Sequence, residues 1–288
     1  NNTITTGAGN DIITLGTGGD TVTAGAGNDT IAVATANFDA DHTVTGGTGT
    51  DSIVISDAGT HVDADFTNVR EVETVSFGNN ATTLTLGSNA TTAGIVTVTD
   101  GTGNSVINLD AGHTAATTVA LSTGDDHVVA TAYTGALTVT AAVASIGTID
   151  VLTGGTGTSD TLSITHDGTT LTANELAIVT GFETLSVATD ATTGAITLPD
   201  ASVASGASLT VDATNQVSTN FIFDGALESN GTLTVNRGAS TGTASIVLGQ
   251  GNDTYTSTAA GIDTVTATAG NNTITTGAGN DIITLGTG

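Results

Sequence analysis

A nine-residue period constrains the fold of this chain more than any other feature of its sequence. Residues 6–14, 15–23 and 24–32 read TGAGNDIIT, LGTGGDTVT and AGAGNDTIA, with glycine second and fourth, aspartate sixth and an aliphatic residue eighth. Glycine readily adopts the positive φ angles of tight turns, whereas β-branched residues favour strands. Each unit is therefore predicted to form a six-residue turn followed by a three-residue strand.

The same period returns at the far end of the chain. It resumes at 248–256, 257–266 and 267–275, where the second unit is one residue longer. The last eighteen residues, 271–288, are identical to residues 1–18 at an offset of 270 residues, which is fifteen times eighteen. Because the identical segments keep the same phase, we expect the chain to come from inside a longer array of such repeats.

These units resemble the RTX (repeats-in-toxin) nonapeptide GGxGxDxUx. They depart from it where Thr6, Leu15 and Ala24 replace the first glycine, and where Asn2 and Asn272 stand in place of aspartate. The resemblance implies an all-β, right-handed parallel β-solenoid, the RTX β-roll, in which two nonapeptides complete one coil. It also implies calcium ions between turns stacked eighteen residues apart.

Calcium prefers six to eight oxygen ligands, so a single turn supplies too few and two stacked turns are needed. Aspartates eighteen residues apart are Asp11 with Asp29 and Asp263 with Asp281. Asn2 with Asp20, and Asp253 with Asn272, have each lost one carboxylate. Asp29 pairs with Asp51 if four extra residues near 37–40 form a loop. The predicted calcium-binding residues are Gly7, Gly9, Asp11, Gly16, Gly18, Asp20, Gly25, Gly27, Asp29, Asp51, Gly249, Gly251, Asp253, Asp263, Gly277, Gly279 and Asp281.

Glycine, asparagine and aspartate also form turns without any metal. For Asp51, Asp126 and Asp160, which lie in less regular turns, a metal-free turn and a calcium site both remain open. The five histidines are spread singly along the chain, and we expect most of them to face solvent.

Composition supports a cation-dependent fold. Twenty-eight acidic residues face only Arg70 and Arg237, which gives a net charge of −26, so internal ion pairs are not expected to balance the acids. The same sign disfavours nucleic acid and anionic membrane surfaces as partners. The chain has no cysteine and no apolar run long enough to span a membrane, so metal binding and strand stacking are expected to stabilise it.

Three segments are predicted: RTX rungs at 1–32, a looser solenoid at 33–247, and a second RTX block at 248–288. The middle segment contains two related halves, about 46–153 and 154–247. In these, GGTGTDSIVI followed by EVETVSF corresponds to GGTGTSDTLSI followed by GFETLSV. Short helical turns are expected around 65–69 and 173–179.

The sequence contains no GxSxG motif, no cysteine and no lysine, so we expect no enzymatic activity. The GGxGTD turns followed by ETV or ETL strands resemble those of calcium-dependent bacterial surface-layer proteins and giant adhesins. That resemblance implies an extracellular structural repeat at the bacterial cell surface that folds on binding Ca²⁺ and is concatenated with identical copies. The alternative is the secretion and folding tail of a type I-secreted toxin or hydrolase.

Overall fold

The computed structural model describes residues 1–166, 168–188, 194–216 and 220–286. The chain divides into two compact units. Unit 1 comprises residues 1–139 and 154–157, and unit 2 comprises residues 140–153 and 158–288. The three segments predicted from the repeat pattern are a different division, by repeat type, and they stay a prediction.

Unit 1 is a parallel β-solenoid, in which each coil adds one strand to each of two facing sheets. Its strands are β1 (Thr3–Ala8), β2 (Ile12–Thr14), β3 (Thr21–Ala26), β4 (Thr30–Val33), β5 (Thr43–Thr48), β6 (Ser52–Ile55), β7 (Gly59–His61), β8 (Val69–Arg70), β9 (Thr74–Phe77), β10 (Thr82–Leu86), β11 (Thr97–Thr99), β12 (Val106–Leu109), β13 (Thr117–Ala120) and β14 (His127–Val129). The strand orders are β1-β3-β5-β8, β2-β4-β6-β9-β11-β13 and β7-β10-β12-β14. Strand β15 (Leu137–Ala142) crosses the boundary between the units in sequence, with its first three residues in unit 1 and its last three in unit 2.

Unit 2 is built in the same way. Its strands are β16 (Val151–Thr153), β17 (Thr161–Thr165), β18 (Val179–Thr180), β19 (Thr184–Ala188), β20 (Ala195–Thr197), β21 (Ser208–Ala213), β22 (Phe221–Asp224), β23 (Thr232–Arg237), β24 (Ala244–Val247), β25 (Thr254–Ser257), β26 (Asp263–Ala267), β27 (Thr273–Thr275) and β28 (Ile282–Leu285). The strand orders are β17-β19-β21-β23-β25-β27, β20-β22-β24-β26-β28 and the pair β16-β18. The predicted all-β parallel solenoid is confirmed, including its continuation through the irregular middle.

The strand register explains why small β-branched residues dominate the sequence. Alternate strand residues point inwards, and equivalent inward residues stack from one coil to the next. In unit 1, Ile13 pairs with Ile31 eighteen residues later, Ile31 with Ile53, and Ile53 with Val75, at intervals of 22. These side chains are buried and form a continuous column. Narrow coils therefore obtain an apolar core from single aliphatic columns.

Coil length varies while the register is kept. Coils are 18 or 19 residues long near both ends, whereas Leu185 pairs with Val211 twenty-six residues later. The extra residues after β4 form a 3-10 turn at Thr35–Asn37, which lets Phe38 pack 5.2 Å from Phe66 between ring centroids. The predicted loop near 37–40 lies in this excursion between β4 and β5. Insertions thus add small clusters outside the sheets.

The helical turns agree in part with the prediction. The first is a 3-10 turn at Asp63–Phe66, and the second is helix α2 (Ala173–Leu176), capped by Thr172 and Glu175. A further helix, α1 (Ser88–Ala93), has no counterpart in the prediction and ends at Gly94 in the left-handed region. Among the described residues no helix is long and apolar enough to cross a membrane.

One backbone feature separates the two related halves of the middle segment. Glu71 has φ of 56°, and it is the one non-glycine residue with positive φ in the part of the chain that the structure describes. Its counterpart in the second half is Gly181, with φ of 76°. A side chain in this left-handed conformation costs roughly 1–2 kcal/mol. The second half therefore avoids a strain that the first half carries.

Candidate metal centre

The sixth residues of successive turns form a column of carboxylates in unit 1, which we call the position-6 column. The amide of Asp11 donates to Asp29 Oδ1 at 2.8 Å, and the amide of Asp29 donates to Asp51 Oδ1 at 2.7 Å. The amide of Asp51 in turn donates to Glu73 Oε2 at 2.7 Å. The sequence prediction that Asp29 meets Asp51 across the insertion is therefore confirmed as a contact.

Each buried carboxylate in this column has one oxygen left over. Asp29 Oδ2 and Asp51 Oδ2 are buried and have no hydrogen-bond partner. Burial raises the pKa of Asp51, the amide of Asp29 opposes this, and the charges of Asp29, Glu73 and Glu71 raise it further. A buried charge without a partner is costly. The arrangement therefore suits a bound cation.

A neighbouring column in unit 1 uses other side chains at the same position. Asp20 Oδ1 accepts from the amide of Asn2 at 2.7 Å and from Asn2 Nδ2 at 3.1 Å. The hydrogen bond from the Asn2 amide is the main cause of a lowered pKa at Asp20. The Asp20 amide donates to His42 Nδ1 at 3.1 Å, so this imidazole acts as a position-6 acceptor.

The expectation that most histidines face solvent is wrong. His42, His61, His113 and His166 are buried. Their roles are structural: His113, for example, lies 2.8 Å from Thr117 Oγ1 through Nε2 and stacks on Tyr133. Burial lowers the pKa of His113. Sequence alone carries no sign of this, because each histidine stands singly, with no second histidine in a ligand-like spacing.

Unit 2 contains two shorter position-6 columns. The amide of Asp263 donates to Asp281 Oδ1 at 2.9 Å, and the amide of Asp253 donates to Asn272 Oδ1 at 2.8 Å. The amide of Leu233 donates to Asp253 Oδ1 at 2.8 Å. Asp253 Oδ2 and Asp263 Oδ2 are buried without a hydrogen-bond partner. Every predicted position-6 pair is thus brought into contact.

Asp263 also has a protein cation beside it. Arg237 Nη1 donates to Asp263 Oδ1, and Arg237 Nη2 donates to the carbonyl oxygen of Gly242 at 2.6 Å. Both side chains of the pair are fully buried. The expectation that internal ion pairs do not balance the acids therefore fails at this one carboxylate. Arg70, by contrast, donates to the carbonyl oxygens of Thr67 and Val69.

Glycines let successive turns approach each other closely. Gly25 and Gly27 have φ of 116° and 132°, and a Cβ atom on either would overlap the carbonyl oxygen of Gly7 or Gly9 in the coil before. At Gly279 a Cβ would lie 2.7 Å from the Gly261 carbonyl oxygen and 3.0 Å from Asp281 Oδ1. Carbonyl and carboxylate oxygens therefore converge on the space that the missing side chain leaves free.

The remaining predicted glycines fall into two groups. Gly249, Gly251 and Gly277 lie against carbonyl oxygens of the preceding coil, as Gly25 and Gly27 do. Gly7, Gly9 and Gly16 have no atom of another coil within 4 Å of their Cβ positions, and Gly18 has only Asn1 there. Assignment of these glycines as calcium ligands stays a prediction.

A second column of hydrogen bonds between coils, formed at position 5, runs in the opposite direction to the position-6 column. At position 5, the amide of Asn28 donates to Asn10 Oδ1 at 2.8 Å, and the amide of Thr50 donates to Asn28 Oδ1 at 2.9 Å. In unit 2 the Asn271 amide donates to Asn252 Oδ1 at 2.8 Å. Here the acceptor belongs to the earlier coil, whereas at position 6 it belongs to the later one. Adjacent coils are therefore joined by side-chain hydrogen bonds in both directions.

The internal repeat predicted from sequence reproduces the position-6 contact. The amide of Asp160 donates to Glu183 Oε2 at 2.8 Å, as the amide of Asp51 does to Glu73 Oε2. The glutamate of each ET strand therefore takes the place of the next aspartate in the column.

The carboxylate and carbonyl oxygens of these turns fit calcium better than they fit a metal that is bound by several protein side chains. No group of three or more His, Asp or Glu side chains that could hold a metal occurs in the residues that the structure describes. Calcium accepts carboxylate, carbonyl and water oxygens together. One free carboxylate oxygen and the glycine carbonyls of a facing turn are ligands of that kind.

Comparison with known proteins gives one match. The family model of the RTX calcium-binding nonapeptide repeat matches residues 1–31 and 257–288 with four copies. No curated protein and no solved structure matches the chain. The matched ranges contain the position-6 residues Asp11, Asp20, Asp29, Asp263 and Asp281, so RTX calcium-binding repeats are present at both ends.

Proposed function

We propose that this chain is an extracellular, calcium-dependent structural repeat of a long bacterial surface protein, of the surface-layer or giant-adhesin-stalk kind. The observation that carries the proposal is the position-6 column, in which the buried carboxylate oxygens Asp29 Oδ2 and Asp51 Oδ2 have no hydrogen-bond partner. When bound, calcium supplies the positive charge that these oxygens lack. The role is mechanical rather than catalytic.

The protein's own residues prepare each site. Position-6 carboxylates are held by amide hydrogen bonds such as that from Asp11 to Asp29, while glycines bring the facing carbonyl oxygens close. With a net charge of −26, the free chain repels itself. Extracellular calcium modules have Kd of about 10⁻⁴ to 10⁻³ M. The chain would therefore stay open at low cellular calcium and fold outside the cell.

Folding on calcium is the direct test. Circular dichroism in chelator should show a weak β signal that rises as calcium reaches millimolar concentration, and equilibrium dialysis should show several bound ions per chain. Magnesium at the same concentration is the control, because it demands near-octahedral geometry and dehydrates reluctantly. A β signal that chelation leaves unchanged, together with no bound calcium, would overturn the proposal.

We further propose that identical copies join as one continuous solenoid. Residues 271–288 repeat residues 1–18, and the nine-residue spacing of Val265, Ile274 and Ile283 has no proline or spacer between its members. Such a joint has no hinge.

A protein with two copies in tandem tests this joint. A coil rises by roughly 4.8 Å, so fifteen coils of eighteen residues would rise about 72 Å, and longer coils reduce that figure. Electron microscopy should show a straight rod with a length per copy at or below this value. Two particles at variable angles would show a flexible linker and overturn the rod.

A further inference from the structure

Two buried acids outside the matched repeats have no role in the columns described above. Asp100, in unit 1, is 6% exposed, and neither of its carboxylate oxygens has a hydrogen-bond partner. Glu228, in unit 2, is 0% exposed, and its Oε2 has no partner. Native proteins rarely bury carboxylate oxygens without compensation. Both acids therefore require an explanation.

Their positions in the turns are the same. Asp100 begins the turn DGTGNS, and Glu228 begins the turn ESNGTL. Each stands five residues before position 6, which is Ser105 in the first turn and Leu233 in the second. Neither Ser105 nor Leu233 carries a carboxylate. In both turns the acid is present at position 1 and missing at position 6.

The next coil supplies an ordinary position-6 aspartate in both cases. The amide of Ser105 donates to Asp126 Oδ1 at 2.9 Å, and the amide of Leu233 donates to Asp253 Oδ1 at 2.8 Å. These are the contacts that Asp11 and Asp263 make in the matched repeats. The position-6 column is thus complete in backbone geometry and lacks only the carboxylate of the earlier coil.

In unit 1 the position-1 acid lies beside this column. Burial is the main cause of a raised pKa at Asp100. The side chains of Ser105 and Asp126 and the amides of Gly101 and Ser122 lie near the carboxylate and lower its pKa, although none of them makes a hydrogen bond of ordinary geometry to it. A Cβ atom at Gly124 would lie 2.7 Å from the Gly103 carbonyl oxygen and 3.1 Å from Asp126 Oδ1. The matching distances at Gly279, in a matched repeat, are 2.7 Å and 3.0 Å.

In unit 2 the two acids converge on one glycine. A Cβ atom at Gly249 would lie 2.8 Å from Glu228 Oε2. Burial raises the pKa of Asp253 and the charge of Glu228 raises it further, while the Gly249 amide lowers it. Glu228 Oε1 accepts from the amides of Asn230 and Gly231, which fixes its carboxylate and leaves Oε2 directed elsewhere.

We propose that Asp100 with Asp126, and Glu228 with Asp253, form two further calcium sites, in which an acid at position 1 replaces the carboxylate missing at position 6. Carbonyl oxygens of Gly103 and Gly231, which face the glycines of the next turn, are available to complete them. Each site rests on the calcium-dependent function proposed above. Calcium binding then extends from the regular repeats into the irregular solenoid.

Equilibrium dialysis against calcium tests both sites in the full chain. Asp100→Asn and Glu228→Gln should each bind one ion fewer than the unchanged chain. Asp125→Asn is the matched control, since Asp125 lies in the same turn as Asp126 but is exposed, and its stoichiometry should not change. In Asp100→Asn/Ser105→Asp the carboxylate returns to position 6, and the lost ion should return with it.

Hydrogen exchange at the Ser105 amide gives a second measurement that does not count ions. In the unchanged chain its protection should rise with calcium, because the ion holds Asp126 in place. In Asp100→Asn protection should no longer respond to calcium.

The outcomes separate this proposal from the general function. If the unchanged chain binds calcium and both variants bind as much, the acids of each pair share a proton instead of binding an ion. The proposal is then wrong. A loss in one variant alone keeps that site and removes the other. If the unchanged chain binds no calcium, the proposed function itself has failed.

Discussion

The position-6 columns of the two units differ in how their charge is compensated. In unit 1, Asp11, Asp29 and Asp51 follow one another up to Glu73, and within the described part of the chain no arginine contacts them. In unit 2 the buried guanidinium of Arg237 contacts Asp263, and Asn272 stands where a carboxylate is expected. The same backbone geometry therefore accommodates a carboxylate, an amide or an ion pair. Stabilisation by calcium should therefore be largest where neither an amide side chain nor an ion pair replaces the free carboxylate.

Chelation should produce the largest difference between the units. Without calcium, residues 3–55 should lose protection from hydrogen exchange, because their uncompensated carboxylates repel each other. Residues 232–267 should retain more protection, because Arg237 offsets part of the charge there. Exchange measured by mass spectrometry in chelator and in millimolar calcium checks this, and equal loss in both segments would contradict it.

Removing the cation should make unit 2 behave like unit 1. Arg237→Met leaves Asp263 buried and unpaired, which should reduce the free energy of unfolding by about 3–5 kcal/mol. Hydrogen-exchange protection of residues 232–267 in chelator measures this loss, because bound calcium would itself compensate Asp263. Adding Asp263→Asn to the same chain is the control and should recover most of it. A loss that persists in the double variant would show that Arg237 acts through packing instead.

Neutralising one acid in unit 1 should have opposite effects with and without calcium. Asp51→Asn keeps the oxygen that accepts from the Asp29 amide but removes a charge whose burial raises the pKa of Asp51. In chelator the variant should retain more β signal than the unchanged chain, because one buried charge is removed. In calcium at a hundred times Kd it should lose up to about 2.7 kcal/mol.

Asp41→Asn is the control for that experiment, because it removes the same charge from an exposed position. Circular dichroism of both variants in chelator, and thermal unfolding of both in calcium, provide the comparison. If Asp51→Asn changes stability with the same sign in chelator and in calcium, Asp51 does not take part in ion binding.

The smallest expected effect comes from the backbone of the internal repeat. Glu71→Gly should stabilise unit 1 by about 1 kcal/mol, because glycine adopts φ of 56° without strain. Glu71→Gln removes the charge near Asp51 but keeps the strain, so it isolates the electrostatic part. Denaturant midpoints of the two variants give the difference, and equal midpoints would assign the whole effect to charge.

Periodic features of the structure could be predicted from sequence. Glycine and aspartate at fixed positions identify the turn, and spacing then brings Asp11 onto Asp29 and Asp263 onto Asp281. Even the contact between Asp29 and Asp51 followed from the phase of the well-formed turn after the insertion. Strand register in a solenoid is local, so each coil needs only its neighbours.

The contacts that could not be predicted are those between coils of unequal length, because the spacing in the sequence does not show which residues such coils bring together. His42 and Arg237 carry no local signal, and they become acceptor and cation only through strand pairing. Asp100 and Glu228 do have a signal in the sequence, since each stands five residues before a position-6 residue that lacks a carboxylate. Recognising it requires knowing that the coil continues through that irregular turn.

The opposite directions of the position-5 and position-6 hydrogen bonds determine what each edge of the solenoid offers to the next coil. At a folded edge, a position-5 side chain such as Asn28 already presents its acceptor to the incoming coil. The position-6 amide of that edge, such as that of Asp29, waits for an acceptor that only the incoming coil carries. By the same geometry, an N-terminal edge presents its position-6 acceptor and an unpaired position-5 amide, so a coil added at either edge accepts one of these hydrogen bonds and donates the other.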